Sequence, residues 1–276
     1  MVRNVMEGSE LMENYSSEHK KYLVGIRKKA VVVNVMRVGL LVVFLVLWEL
    51  SVSLGLIDGF IFSSPSRILN TIKNLYLSGE LFSHIGTTLY ETIIGFIAAS
   101  VIGITIAVFM WWSETLKKIA EPYIVVLNSL PKIALGPLII IWFGAGSGSI
   151  IFMAVIITVI VTVINMLAGF CEVDNGKILL LRSMGASKFQ IFTRLVFPAS
   201  LPTLVSTLKI NVGMSWIGSI MGEYLVSKRG IGYLIVYGGQ VFKLDLVMAS
   251  TFILCVLAGV MYAAVALAER LLLKWQ

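Results

Sequence analysis

Charged residues are scarce in this sequence. Asp, Glu, Lys and Arg make up 13% of its 276 residues, whereas apolar residues make up 58%. A soluble domain has about 25% charged residues, because its surface must be hydrated. This chain has about half of that share, so most of its surface cannot face water. The composition excludes a soluble enzyme, a disordered tail and a disulfide scaffold, and it leaves an integral membrane protein.

Cysteine and histidine are also rare, with two residues of each type: Cys171, Cys255, His19 and His84. They do not cluster, so the sequence predicts no metal site and no intramembrane enzyme, which would need a nucleophile–base or metal constellation. The sequence also lacks the G-x-x-x-x-G-K-[ST] loop that holds ATP phosphates. We therefore expect no catalytic residues, no metal and no cofactor bound by this chain.

Six long apolar runs dominate the sequence. A helix needs about 20 mostly apolar residues to cross a bilayer, and continuous rather than alternating runs favour helices over barrel strands. The sequence therefore predicts an all-α integral membrane protein, in which an N-terminal segment, 1–37, precedes a domain of six transmembrane helices, 38–276. The predicted spans are 38–56, 88–112, 124–143, 150–170, 205–224 and 246–267.

Lys and Arg are unevenly distributed among the segments that flank these spans. Of the 22 Lys and Arg residues, 15 lie in the N-terminal segment, the second and fourth connections and the C-terminus, whereas five lie in the other connections. Basic residues concentrate on the cytoplasmic side of a membrane protein. We therefore expect both termini in the cytoplasm, and the net charge of +7 records orientation rather than nucleic-acid binding.

The third apolar run is interrupted by Pro131, Gly136 and Pro137. Proline removes a backbone donor and kinks a helix, and such a break survives at membrane depth only where protein or water satisfies the backbone. Lys132 lies in this break. It is either a functional cation inside the membrane or a side chain that extends to the head-group layer.

Small residues repeat every four positions in the second and fifth runs. They are Gly95, Ala99 and Gly103 in the second run, and Gly218 and Gly222 in the fifth. This spacing lets helix backbones approach closely in lipid. The pattern fits either packing within one subunit or a contact between subunits.

The fourth connection, about 171–201, is too long and too patterned for a simple tether. The segment 175–184 predicts a short helix that Gly185 ends in a left-handed conformation. Ser187 and Gln190 predict a capping box that begins a second short helix. The result is an apolar elbow with a basic rim. It is either a docking site for a cytoplasmic partner or an amphipathic element on the membrane surface.

The elbow resembles the EAA loop of the permease subunits of binding-protein-dependent ABC importers. That loop has a glycine, nine further residues and then I-x-L-P. Here Gly185 is followed by nine residues and then by Leu195-Val196-Phe197-Pro198, so the glycine and the proline are in register. A leucine triplet, 179–181, stands where the family has Glu-Ala-Ala. Resemblance to the nitrate, sulfonate and taurine branch comes from Pro131-x-x-Ala134-x-x-Pro137, Trp216-Ile217-Gly218 and Gly230-Ile231-Gly232.

This resemblance implies the type I ABC importer permease fold (MetI-like) in the bacterial inner membrane. The implied function is import of a small solute, for example an anion such as a sulfonate, taurine or nitrate, by alternating access. The implied partners are two ATPase subunits, which bind ATP and Mg²⁺, an identical second permease copy, and an external solute-binding protein. The alternative is a secondary transporter or channel that is independent of an ATPase.

The resemblance also implies two sets of functional residues. The core of the ATPase contact would be formed by Arg182, Ser183, Met184, Gly185, Ala186 and Ser187. The candidates for the translocation path are Asn128, Lys132, Asn165, Asn211, Trp216 and Glu223.

Overall fold

The computed structural model describes residues 17–272, which are mainly helical and contain no β-strand. A 3₁₀-helix, Lys132–Leu135, and a π-helix, Phe192–Val196, interrupt the series of α-helices. The α-helices in chain order are α1 (Ser17–Ser53), α2 (Gly59–Phe62), α3 (Pro65–Leu77), α4 (Glu80–Trp112), α5 (Glu114–Ser129), α6 (Gly136–Phe143), α7 (Ser147–Cys171), α8 (Asn175–Ser183), α9 (Lys188–Ile191), α10 (Phe197–Ala199), α11 (Leu201–Val226), α12 (Ile231–Gln240) and α13 (Leu244–Leu272).

Within these residues, four helices are long and apolar enough to cross a membrane without a break. Two further spans are bent: α5 and the segment Lys132–Phe143 meet at 85°, and the segment Lys188–Ala199 meets α11 at 60°. Counting each bent pair as one span gives the six spans that the sequence predicts. The unbroken spans are Val31–Ser53, Glu80–Trp112, Ser147–Cys171 and Leu244–Arg270.

Proline explains where the bent spans break. Leu130 has an extended backbone directly before Pro131, because the proline ring disfavours a helical residue in front of it, and α5 therefore ends there. Pro137 lies in the first turn of α6, where its missing N–H has no helical partner to lose. Pro198 and Pro202 occupy the same position in α10 and α11.

The chain divides into two compact units, and the boundary lies between positions 66 and 67. In the first unit, α1 passes position 37 without interruption, and its apolar part begins at Val31. The Glu49 carboxylate accepts hydrogen bonds from the backbone N–H (2.9 Å) and the hydroxyl (2.7 Å) of Ser66. These bonds fix the chain that follows α2 against the last turns of α1.

In the second unit, α4, α7 and α11 pack together where their residues are smallest. Gly95 of α4 and Gly218 of α11 both face Ala154 of α7. A Cβ added at Gly95 would lie 2.7 Å from the Ala154 Cβ, and one added at Gly222 would lie 2.9 Å from the Ile150 Cα. Backbones that approach this closely gain van der Waals contact, which stabilises helix pairs in lipid. Both small-residue patterns therefore pack within one chain.

Buried hydrogen bonds join the same three helices. Asn211 of α11 donates to Ser100 Oγ of α4 (2.9 Å) and accepts from Thr162 Oγ1 of α7 (3.1 Å). The hydroxyls of Thr92 and Ser219 are 2.7 Å apart. A buried polar group left without its partner destabilises a protein by about 1–3 kcal/mol. The bonds therefore favour one register among the three helices.

An apolar cluster and one ion pair hold α12 and α13 to these helices. Trp216 of α11, Ile231 of α12 and Ile253 of α13 are all members of this buried cluster. Lys209 of α11 and Glu269 of α13 form an ion pair of 2.6 Å. In the second unit, α12 and α13 are thus packed on the block formed by α4, α7 and α11.

Gly218→Ala is expected to destabilise the protein, because the added methyl group would overlap the Ala154 backbone. Overpacking of this kind costs about 1–3 kcal/mol, so the melting temperature measured in detergent should fall. Gly213→Ala on the same helix is the control, since nothing lies within 4 Å of a Cβ added there. Equal melting temperatures for the two variants would contradict the close packing of α11 on α7.

Candidate functional site

The elbow between α7 and α11 turns at Gly185, which has a φ of +82°. The Gly185 N–H donates to the Arg182 carbonyl (3.0 Å), and the Ala186 N–H donates to the Leu181 carbonyl (3.0 Å). This pair of bonds is the Schellman motif, in which the residue after the helix is left-handed. Glycine adopts that conformation without a Cβ clash, so the predicted stop at Gly185 is confirmed.

The second half of the elbow begins with the predicted capping box. The Ser187 N–H donates to the Gln190 Oε1 (2.8 Å), and the Gln190 N–H donates to the Ser187 Oγ (3.3 Å). These reciprocal bonds satisfy donors that the first turn of a helix otherwise leaves free. The chain thus turns between α8 and α9 within residues 184–187, with both helix ends fixed by hydrogen bonds.

The outward face of the elbow is apolar and exposed. Leu179 and Leu180 are each 62% exposed, Met184 is 75% exposed and Phe189 is 63% exposed. Leu179 and Leu180 occupy the first two positions of the leucine triplet that replaces Glu-Ala-Ala. Of the six residues predicted for the ATPase contact, Ala186 is half-buried, and the five exposed ones are Arg182, Ser183, Met184, Gly185 and Ser187.

The inward face of the elbow packs on the ends of α4 and α7. The Phe192 ring lies 5.0 Å from the Trp111 ring of α4 and 5.5 Å from the Phe170 ring of α7, measured between ring centroids. Ile191 and Val196 are buried in the same apolar cluster. The elbow is therefore a fixed part of the second unit, with one face packed and the other open.

The broken span brings together two of the residues predicted for the translocation path. Lys132 Nζ donates to Asn128 Oδ1 (3.2 Å), across the 85° bend. Asn128 is exposed and Lys132 is half-buried. Lys132 also lines a cavity of about 380 Å³ between α5 and α7, whose other lining residues are all apolar. A cation and an amide thus lie together at the break.

Three other residues predicted for the path lie inside the packed second unit. Asn211 is fully buried and bridges α4 and α7, Trp216 lies in the apolar cluster with α12 and α13, and Glu223 is 1% exposed. Asn165 of α7 is half-buried. Hydropathy does not separate these cases, because lipid-facing and protein-facing positions of a membrane helix are equally apolar.

Glu223 caps the first turn of α12. Its Oε2 accepts a hydrogen bond from the Gly232 N–H (2.6 Å). This oxygen satisfies a backbone donor that the first turn of a helix otherwise leaves free. Glu91 of α4 is equally buried, since both side chains are 1% exposed. Glu223 therefore has a structural contact in this protein.

Two side chains of α4 complete this cap, and sequence analysis assigned neither of them a role. The Gly230 N–H donates to His84 Nδ1 (3.0 Å), and the Ile231 N–H donates to Thr88 Oγ1 (2.8 Å). The partners are 146 and 143 positions apart in sequence, so local patterns could not pair them. The glycine turn at 230–232 was the available signal, since Gly230 has a φ of +116°.

Glu223→Ala and Glu223→Gln should differ in stability. Ala removes the acceptor for the Gly232 N–H, and a lost cap of this kind costs about 0.5–2 kcal/mol. Gln retains an amide oxygen as acceptor for the Gly232 N–H. We expect the melting temperature in detergent to be lower for Ala than for wild type, and close to wild type for Gln. If Ala matched Gln, the capping role of Glu223 would be wrong.

Two relatives resemble the chain over most of its length. The formylaminopyrimidine transport permease protein ThiX of Halalkalibacterium halodurans is 32% identical over 233 residues, covering 84% of this chain and 92% of ThiX. The taurine transport system permease protein TauC of Escherichia coli is 26% identical over 243 residues, covering 86% of this chain and 88% of TauC. Both are described as transport permeases.

A solved structure and a family model agree with this similarity. The methionine ABC transporter MetNI, in an inward-facing conformation, matches with a TM-score of 0.63 at 19% identity, over 71% of this chain and 97% of the matched chain. This likeness shows the type I importer permease fold. The family model of the binding-protein-dependent transport system inner membrane component matches residues 99–274. Since that match covers more than half of the sequence, the chain belongs to this family of multi-pass inner membrane permeases.

Proposed function

We propose that the chain is the permease subunit of an ATP-driven importer that moves a small solute across the inner membrane. An external binding protein delivers the solute, and two ATPase subunits supply the energy. The permease alternates between states open to either side as the ATPases close and open, a rigid-body switch at an interface. The observation that carries this proposal is the elbow: a rigid, exposed apolar turn in a chain that has no phosphate-binding loop.

The elbow is suited to transmit force because its shape is fixed before any partner binds. The Schellman motif at Gly185 and the capping box at Ser187 leave little freedom between α8 and α9. A preformed surface loses less conformational entropy on docking. The exposed leucines, Met184 and Phe189 would be buried in a groove of the ATPase, with Arg182 at the edge.

The two faces of the membrane are inferred from the ends of α4. This helix has 33 residues, about 50 Å at 1.5 Å per residue. The elbow packs at its Trp111 end, and the cap of α12 involves His84 near its other end. We therefore infer that the elbow faces the cytoplasm and that the α12 cap faces the outside. The excess of Lys and Arg on the elbow side supports both termini in the cytoplasm.

A second, identical copy of the chain would cover the side of α5. None of the 16 residues of α5 is buried, and the polar Asn128 is exposed near its end. A polar side chain is unfavourable against lipid, so this face is better explained by a water-filled path or a protein contact. Two copies related by a two-fold axis would enclose a path lined by Asn128, Lys132 and Asn165.

A small anion is the solute class that this path supports. Lys132 and Asn128 offer a cation and an amide donor at the break of the span. TauC, one of the relatives, is described as a taurine permease, and taurine carries a sulfonate group. ThiX is described as a permease for a pyrimidine, so the anion assignment depends on Lys132.

Transport by the assembled complex tests the elbow. The permease, its ATPase subunits and its binding protein are reconstituted in liposomes, and ATP-driven solute uptake is measured. Gly185→Val should reduce uptake about tenfold, because a β-branched residue is strained at positive φ. Gly185→Asn should retain most of the uptake, since Asn tolerates the left-handed conformation. Equal uptake by both variants would contradict the elbow, and uptake by the permease alone would support the secondary transporter or channel.

Lys132→Met tests the anion assignment. Loss of the cation should lower ATP-driven uptake of a sulfonate such as taurine, whereas Lys132→Arg keeps the charge and should preserve uptake. The measurement is the initial rate of labelled taurine uptake in the same liposomes. If the rate were unchanged in Lys132→Met, Lys132 would instead be a side chain that extends to the head-group layer.

A further inference from the structure

Lys188, the first residue of α9, contacts the end of α4 in two ways. Its Nζ donates a hydrogen bond of 2.6 Å to the Trp112 carbonyl oxygen. The same ammonium lies 5.7 Å from the centroid of the Trp111 ring and 6.0 Å from that of the Trp112 ring. Both distances are within the range of a cation–π contact. The carbonyl at a helix C-terminus carries partial negative charge, which also attracts a cation.

The contacted carbonyl lies at a corner shared by two helices. Ser113, the next residue, ends α4 through its N–H, which donates to the Phe109 carbonyl (3.2 Å). The Ser113 Oγ also accepts the Leu116 N–H (3.2 Å) and so caps the start of α5. Lys188 therefore binds the elbow to the junction between α4 and α5. Because α5 leads to Asn128 and the broken span, this corner connects the elbow to the proposed path.

Aromatic rings form a second attachment beside Lys188. Phe192 packs against Trp111 of α4, Phe170 of α7 and Phe197 at the start of α10. Phe192 is also the first residue of the π-helix that follows α9. A π-helical turn departs from the regular α-helical ladder and often marks a functional position. The ring contacts alone would permit the elbow to slide against α4 and α7. The directional hydrogen bond from Lys188 fixes the orientation of the elbow.

We propose that Lys188 is a positioning residue that couples movement of the elbow to α4 and α5. In this proposal, which rests on the proposed function, the ATPase moves the exposed apolar face of the elbow. The Lys188 contacts with Trp111 and Trp112 then convey this movement to the α4–α5 corner. Without them, the ATPase would still bind and hydrolyse ATP, but the displacement would be absorbed between the elbow and the membrane helices.

The test compares Lys188→Met, Lys188→Arg and the control Lys177→Met. Lys177 lies exposed on α8 of the same elbow, so its removal changes the charge without touching the tryptophans. In liposomes with ATPase subunits and binding protein, the number of solute molecules imported per ATP hydrolysed is measured. Lys188→Met should keep ATP hydrolysis and lower this ratio about twofold to fivefold, the range for one exposed cation–π contact. Lys188→Arg and Lys177→Met should keep the wild-type ratio.

Hydrogen–deuterium exchange of the full-length permease in detergent gives a second readout that needs no partner. Lys188→Met should accelerate exchange in residues 186–196, and Lys188→Arg should not. If the Lys188→Met permease does not assemble with the ATPase subunits, this exchange comparison alone tests the role of Lys188. A wild-type transport ratio or unchanged exchange in Lys188→Met would overturn the inference. Absence of ATP-driven uptake by the wild-type complex would instead count against the proposed function, and the exchange comparison would still test Lys188.

Discussion

The close approach of α4, α7 and α11 is the constraint on which the rest of the structure depends. Lipid offers no hydrophobic drive for helices to associate, so contact must come from close packing and from hydrogen bonds. Gly95, Gly218 and Gly222 allow the close packing. Asn211 supplies the buried hydrogen bonds to α4 and α7. Together these features form a block whose ends can serve as fixed attachment points.

Different segments of the chain are attached at the two ends of this block. At one end, Phe192 and Lys188 hold the elbow against the tryptophans of α4. At the other end, His84 and Glu223 hold the first turn of α12. The bent span of α5 and α6 begins directly after the α4–α5 corner that Lys188 contacts. The geometry therefore suits a mechanism in which a push on the elbow moves a rigid body and changes the opening beside the broken span.

Sequence analysis predicted features that depend on local chemistry. Gly185 and the Ser187 capping box are set by backbone sterics and neighbouring donors, and the break at Pro131 follows from a missing N–H. The surroundings of Asn211 and Trp216 could not be predicted, because a membrane helix is apolar on every side and its pattern does not show which side faces protein. Contacts such as His84 with Gly230 join distant positions, so no local signal pairs them.

The central claim is that the elbow and α4 move as one body. Spin labels at Thr193 on the elbow and Tyr90 on α4, both exposed, would measure the distance between them after Cys171 and Cys255 are replaced by Ser. Pulsed electron spin resonance of the assembled complex, with one labelled permease copy, would compare the nucleotide-free state with the ATP-bound, trapped state. We expect the same distance in both states. A change of several ångströms within one chain would contradict it.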